Sequence, residues 1–590
     1  MKKLMNILLP ASMVLGLTTP LYAEEKAFAE VAETTAATAT EVSTKEQLVQ
    51  AVNNSQNGTT IKLTQNIELN ETLNIAGNKK FTLDLNGKNL TLAKNTNTIL
   101  MNVGKKEGRD TSELLLTDSA AVKGKIESFE NSAMICVRKD AKMVTRDINL
   151  RFNDENHGQS NLAIQVQGEL IVDKGTDIQS TEGGISVIQE GSKLTMNDGN
   201  IVAEYYAVSG NGTYGGTNMT INGGTLKANN GAGIFHPQNG TLTLNGGTIT
   251  GLTGVQMCAG NLVVPENSTV KVIATGEDDR ANKTEKQGNI DDGRAISLIN
   301  RNYPGGAPKA NIAGGSFVSN KVNETILAYS WNDQAEKGQK ASDWTGAKDN
   351  TTVSGGEFNK PFNAEFVKAK TSFLSVDGTY YATTKPETLN SLVANAKDSI
   401  VILKNVEKLT GVPGGVTVEN KTNDKVNVNG TEISKDQSIN IPTTSGGVAT
   451  QKLSKVYRAY NPNNGEHLYT LDEKEYKHVA SVGWDAEGVA FMAEEEKNGQ
   501  ALYRVYNPNS GLHHYTLDEK EKNTLVSLGW HDEKVAWYTS KKPQSAPVFR
   551  VYNPNDGNHH YTMNKQEKDV LVSYGWQDEG LAFRTAPIEK

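Results

Sequence analysis

The sequence predicts a mainly β protein: a right-handed parallel β-helix closed at its N-terminal end by a helix, then a small α+β spacer, then a module of three α+β repeats. Three observations carry this. Short alternating runs recur with a glycine pair at their corners, almost no helical periodicity separates them, and one aromatic phrase is written three times near the C-terminus. Corners at Asp198, Gly223 and Gly246 lie 25 and 23 residues apart, and Gly314 and Gly355 continue at 68 and 41, near three and two further turns. A unit of twenty-odd residues is too small to bury its own apolar face, so it must stack on copies of itself.

The chain opens on MKKLMNILLPASMVLGLTTPLYA, with Lys2 and Lys3, an apolar run from Leu4 to Leu17 and a small residue at Ala23. That is the pattern of a secretory signal peptide over 1–23, too short and too interrupted by Pro10 for a span. Leu21 fits the small-residue cleavage rule poorly, so cleavage after Ala29 is the alternative. The expected destination is extracellular or cell-wall associated, with no membrane contact after cleavage. Residues 24–41 hold few large apolar side chains and read as a disordered leader.

Folding is expected to begin at STKEQLVQAVNN, where Ser43 and Glu46 form a capping box and Leu48, Val49 and Val52 one apolar face. The coil then runs over 42–384 through IKLTQNIEL, FTLDLNGKNLTL, KLTMNDGNIVA, MTINGGTLKA, TLTLNGGTIT, ANIAGGSFV and TTVSGGEFN, about 14 turns in all. These phrases and their corners resemble the pectate-lyase-like β-helix superfamily, a likeness that implies architecture and says little about activity. Cys136 and Cys258, the only cysteines, would sit about five rungs apart, well over 20 Å at ~4.8 Å per rung. A disulfide needs Cα atoms within about 7 Å, so two free, buried thiols are expected.

Two stretches interrupt the rhythm, at 274–309 and 327–349. Insertions in a solenoid collect as loops on one face, often the working one. They carry Asp278, Asp279, Asp291, Asp292, Arg294, Arg301, Tyr303, Trp331, Asp333 and Trp344. Paired aspartates suit Ca²⁺ or acid–base work on a glycan, although solvated loops with no chemistry are the more common outcome. The phrase from 358, ending at Asp377-Gly378, reads as a closing unit with a hairpin. A helix-then-strand spacer over 385–452, ending in the linker PTTSGGVATQ, leads to the repeats.

The repeats, over 453–590, read YRAYNPNNGEHLYT, YRVYNPNSGLHHYT and FRVYNPNDGNHHYT, each followed by a charged run and Gly-Trp. Tyr460, Tyr506 and Tyr552 recur at a period of 46, as do Trp484, Trp530 and Trp576. Each unit is expected to be strand, strand, helix, strand, with three units closing into a pseudo-threefold module or stacking linearly. Thr470 with Glu473 and Thr516 with Glu519 read as capping boxes, and Lys565 leaves the third helix without one. Leu525, Val526 and Leu528 are expected to face inward, and Gly483, Gly529 and Gly575 to end the helices in left-handed caps. Lys534 departs from Gly488 and Gly580.

This phrase in register resembles a repeat of unknown function found at the ends of secreted Gram-positive surface and wall-lytic proteins, which implies an accessory targeting module. Arg458, Arg504 and Arg550 recur with Glu487, Glu533 and Glu579, as expected for internal ion pairs. His467, His513 and His559 would bind zinc only if they met on the threefold axis, and histidines tied into turns are commoner. Neither a metal nor another cofactor is expected. Eleven of nineteen tyrosines and four of six tryptophans fall after residue 455, enough for a core and for saccharide-stacking surfaces. The candidate ligand residues are therefore Tyr460, His467, Tyr469, Tyr506, His513, Tyr515, Tyr552, His559 and Tyr561, and in the insertions Asp291, Asp292, Arg294, Trp331 and Trp344.

A net charge of −8 without a basic patch argues against nucleic acid. No Gly-His-Gly, strand-borne aspartate cluster or lyase-like arginine is present, and His157 stands alone. The expectation is a non-catalytic, adhesin-like surface protein whose C-terminal module binds wall polymer or host glycan. The alternatives are a polysaccharide lyase or glycoside hydrolase using Asp291 and Asp292, and a self-associating structural element.

Overall fold

A computed structural model describes residues 39–96, 98–129, 133–154, 161–283, 288, 290–442, 454–494, 499–542 and 545–585. The signal peptide, most of the leader, His157 and most of the linker lie outside them. The chain divides into two compact units, one holding the coil and most of 396–439, the other built on 440–590.

The first unit is a parallel β-helix with three strands per coil. Its first face stacks twelve strands among the described residues, from Thr40–Val42 through Thr59–Leu63 and Lys193–Met196 to Lys309–Ser319 and Thr351–Phe358. Twelve rungs rather than about 14 reflect the chain spent on the insertions, and the stack is on the order of 50 Å long at the usual inter-strand spacing. The coil also starts earlier than expected, because Thr40 and Glu41 pair with Ile61 and Lys62.

Register makes the core continuous. Phe81, Leu114, Met143, Leu170, Leu194, Met219, Leu242 and Leu262 lie in one inward row. Ile135, Ile164, Ile185, Val208, Ile234, Val255, Ile296 and Ile326 form another on the third face. All are buried, and each contributes roughly 1.5–3 kcal/mol by leaving water. Apolar partners above and below fix the register, since a one-residue slip would turn every row outward.

The corner motif Asn-Gly-Gly has a separate reason for each residue. Asn245 donates to Asn222 at 2.7 Å, Asn222 to Asn197 at 2.8 Å, and Asn197 to Asp173 at 2.9 Å, so the amides ladder along the coil. A Cβ on Gly246 would meet the Asn222 carbonyl oxygen at 2.4 Å, and Gly247 has φ +85°.

The N-terminal helix is Lys45–Asn54, and its cap is Thr44, not Ser43: the Thr44 hydroxyl accepts from the Gln47 amide, while Gln47 accepts from Ser43. The cap is thus one residue later than the sequence suggested, and the return bond goes to the amide of Ser43, outside the cap. At the other end Ser372–Val376 and Thr379–Thr383 form the expected hairpin, Asp377 and Gly378 both having positive φ. Phe317 stacks on Phe358, and Phe362 packs at a tilt between Phe358 and the hairpin's Phe373. Ser399–Lys404 pairs with Ser372–Val376, so the sheet runs on beyond Thr384. Cys136 and Cys258 are free and buried, and five strand-to-strand steps separate the strand of Cys136 from the one that precedes Cys258.

Candidate functional site

Each C-terminal repeat is a three-stranded antiparallel sheet with a helix between its second and third strands. In the first copy these are Ser454–Tyr460, His467–Thr470, Glu473–Ser481 and Asp485–Ala493. The Asn-Pro-Asn turn closes when Asn461 accepts from the Asn463 amide and the Gly465 amide returns to the Asn461 carbonyl. The helix caps differ from expectation. Asp472, Asp518 and Asn564 accept from the amides of Lys474, Lys520 and Gln566, two residues after each threonine. The third helix is therefore capped as well as the others despite Lys565. Thr516 and Thr562 instead hold Glu521 and Glu567. At the other end the Trp484 amide reaches the Val479 carbonyl across Gly483, φ +104°, a Schellman stop repeated at Gly529 and Gly575.

Closure about a pseudo-threefold axis is explicit. Tyr515 donates its hydroxyl to the Tyr469 carbonyl, Tyr561 to the Tyr515 carbonyl, and Tyr469 to the Tyr561 carbonyl, at 2.9, 2.9 and 2.8 Å. Each phenol oxygen also accepts one backbone amide from a neighbouring repeat. These three tyrosines, proposed above as ligand contacts, are at most 2 % exposed and are the core of the module, with Phe491, Trp537 and Phe583 around them. Trp484, Trp530 and Trp576 are half-buried. Leu528, expected inward, is 70 % exposed, and its counterparts Val482 and Tyr574 are similarly open. Val526, also expected inward, is 37 % exposed, and these apolar positions do not build the core.

Tyr460, Tyr506 and Tyr552 are half-buried, each packed on the histidine seven residues later with ring centroids 5.0 Å apart. The histidines are not gathered on the axis, which the tyrosines occupy. His467 meets His560 of the third repeat edge-on at 4.4 Å, and His559 meets His514 of the second at 4.8 Å. The third interface lacks such a pair because Leu468 stands where His514 and His560 do, and there His513 bonds Glu466 through Nδ1 at 2.6 Å. Among the described residues no group of three or more His, Cys, Asp or Glu is placed to hold a metal ion.

The Arg–Glu pairs form within repeats: Arg458–Glu487, Arg504–Glu533 and Arg550–Glu579 at 2.8, 2.8 and 2.7 Å. A second carboxylate reaches each interface from the neighbouring helix, namely Glu475, Glu521 and Glu567. The sequence reading missed these, although they recur at the same period of 46. Glu475 grips Arg504 through both oxygens at 3.0 Å, whereas Glu567 is 3.2 Å from His560 and 3.6 Å from Arg458. The bond from His560, opposed by burial and aided by Thr562, holds Glu567 down to about 2; His514 does the same for Glu521. Burial, then the adjoining histidine and arginine, hold His467 and His559 down to about 3. Between the first and third repeats lies a cleft of about 230 Å³ lined by Arg458, Glu487, Ala490, Met563, Asn564 and Glu567 among others.

The insertions of the first unit are not idle solvated loops. Asp292 is fully buried and accepts from Thr253, Ser297 and Tyr329 side chains and the Arg294 amide, at 2.8–3.2 Å. Burial pushes its pKa up, against the pull of Arg294 and Ser297. Arg294 joins Asp278 at 2.6 Å, and Arg301 joins Asp333, which also receives the Trp331 indole N–H at 3.1 Å. Asp291 is half-buried beside this network and its carbonyl accepts from the Asp279 amide. Trp344 lies apart, packed against the main core. With both Asp292 oxygens occupied by donors inside protein, the network fixes loops; it does not present a base to a solvent-borne substrate.

Residues 455–586 match the model of a family described as a domain of unknown function, DUF5648. The match spans the three-repeat module and none of the β-helix. No curated protein matches the chain.

Proposed function

We propose that this is a secreted, non-catalytic surface or cell-wall-associated protein in which the β-helix is a rigid carrier and the C-terminal module binds carbohydrate or wall polymer. The observation that carries the reading is threefold repetition of the same groups about one axis: a Tyr–His pair, a half-buried Trp and an Arg–Glu pair in each unit. Repetition beyond what the tyrosine core requires suits a ligand that is itself repetitive, because linked weak sites gain avidity without new contacts. Half-buried rings edged by short polar groups offer both faces that a pyranose presents, its C–H side and its hydroxyls.

The test is sedimentation of the full chain with purified cell walls and its profile on a glycan panel, beside a chain ending at residue 442. Retention of the full chain alone is expected. Equal retention of the shortened chain, or no retention of either, would overturn the reading.

A further inference from the structure

We infer that the C-terminal module is an acid-responsive device that opens in one place: the third repeat comes away from the other two while the first and second stay joined. This goes beyond the function proposed above and holds whatever ligand the module takes.

The three interfaces share one closure. Across each, a tyrosine hydroxyl receives a backbone amide. The Tyr469 amide reaches Tyr515 between the first and second repeats, the Tyr515 amide reaches Tyr561 between the second and third, and the Tyr561 amide reaches Tyr469 between the third and first, at 2.9, 3.3 and 3.0 Å. Histidine pairs line only two of these interfaces. His467 of the first repeat meets His560 of the third, and His514 of the second meets His559 of the third, with ring centroids 4.4 and 4.8 Å apart. The third repeat is therefore party to both pairs, and its departure separates both.

In each pair one ring is bonded to a carboxylate of its own: His560 to Glu567 and His514 to Glu521, both at 3.2 Å. The other ring is worse placed to carry a charge. His467 faces His560, Arg458 and Tyr460, and Glu487, 3.6 Å away, is already joined to Arg458. His559 faces His514, Arg550 and Tyr552, and Glu579, 3.4 Å away, is already joined to Arg550. Burial, then the neighbouring imidazole and arginine, hold both rings down to about 3 from an ordinary 6.5, and Glu567 and Glu521 pull back only in part. Departure of the third repeat frees both rings to take protons, so it is linked to the uptake of two. Between pH 7 and 5 that favours the open form by about 25-fold per imidazole, and about 600-fold for the two.

The first-with-second interface is built the other way. Leu468 replaces the second imidazole, and Glu466 stands where the other copies have Leu512 and Asn558. His513 bonds Glu466 at 2.6 Å and lies 3.4 Å from Glu533, while Glu475 grips Arg504 through both oxygens at 3.0 Å. A proton on His513 meets carboxylates in the closed interface, so acid gives no drive to opening there.

The three tyrosine amides report the three interfaces separately. Hydrogen exchange of the full chain would be read at those amides by fragmentation mass spectrometry and corrected for the intrinsic rate at each pH. Tyr515 and Tyr561 should be about 600-fold less protected at pH 5 than at pH 7, and Tyr469 unchanged. His467→Gln combined with His559→Gln should abolish the difference; should that double variant fail to melt cooperatively, either single variant should leave about 25-fold. Equal loss of protection at all three amides, loss at none, or an undiminished effect in the histidine variants would overturn the proposal.

Discussion

Lys534 offers the cleanest energetic test of the repeat. It occupies the left-handed region with φ +70°, where the equivalent residues are Gly488 at +86° and Gly580 at +78°. An L-residue there costs roughly 1–2 kcal/mol through the approach of Cβ to the carbonyl. Crowding plays no part, because a Cβ placed on Gly488 or Gly580 would have no heavy-atom neighbour within 4 Å. The Lys534 side chain is 81 % exposed and its contact with Asp532 is an open surface pair worth little. Replacement by glycine relieves the strain, keeps the amide bond to Asp532 Oδ1 at 2.9 Å, and costs ~0.5–1 kcal/mol in unfolded-chain entropy. The net expectation for Lys534→Gly is a gain of about 0.5–1 kcal/mol, and for Gly580→Lys a loss of similar size. In a module of this size that is about 2–4 °C in melting temperature. Tryptophan fluorescence reports it selectively, since four of the six tryptophans lie in the repeats. A lower melting temperature for Lys534→Gly, or none lost in Gly580→Lys, would refute the backbone-strain account.

Three further outcomes follow from the geometry. The module should lose stability on acidification in two windows: His467 and His559, ordinarily near 6.5, stay neutral in the fold to about 3, so the unfolded chain gains protons first as pH falls below 6.5. At pH 5 this amounts to at most about 2 kcal/mol per imidazole. The Glu521 and Glu567 contribution is present above 4.5 and disappears as pH falls through about 2, and a melting temperature unchanged from pH 7 to 5 would contradict the first window. Tyr515→Phe removes the donor to the Tyr469 carbonyl and the acceptor for the Tyr469 amide, so about 2–3 kcal/mol should be lost in denaturant unfolding, with the ring packing intact. Thiol titration should find two reactive cysteines in denaturant and none in the native protein, where burial pushes Cys258 up to about 12 and also raises Cys136.

Much of the coil was legible because its signal is chemical and local. Asn-Gly-Gly marks a corner where an amide ladder, a close backbone approach and a positive φ coincide, and alternation marks the strand on either side. The number of turns was overestimated because length alone cannot say how much chain leaves the stack, and the described residues between Ala274 and Ile296, and between Trp331 and Thr351, lie outside its parallel strands. Nor does spacing show that Asp292 and Arg294 turn inward: acidic and basic residues in glycine-rich loops look solvated until Tyr329, Ser297 and Thr253 are seen to surround them. The thiol distance, by contrast, needed only the period of the coil.

In the module, repetition revealed which positions matter but not why. Tyr460, Tyr469 and Trp484 each recur at 46, yet the first packs on a histidine, the second forms the axis and the third is half-exposed. Period cannot separate these roles, because folding and binding both demand the same residue in every copy. Departures from the period are more telling. Lys534 breaks a backbone requirement, and Leu468 breaks a side-chain one: without an imidazole at that position Glu475 turns to Arg504, and His513 finds Glu466 instead of a second ring. Two departures in this copy, Leu468 and also Glu466 where the others have Leu512 and Asn558, thus accompany the changed partners at one interface, while the tyrosine bonds across the same interface stay at 2.9 Å. The core tolerates the asymmetry because the bonds that close it across this interface join phenol and backbone, neither of which depends on the side chain at 468.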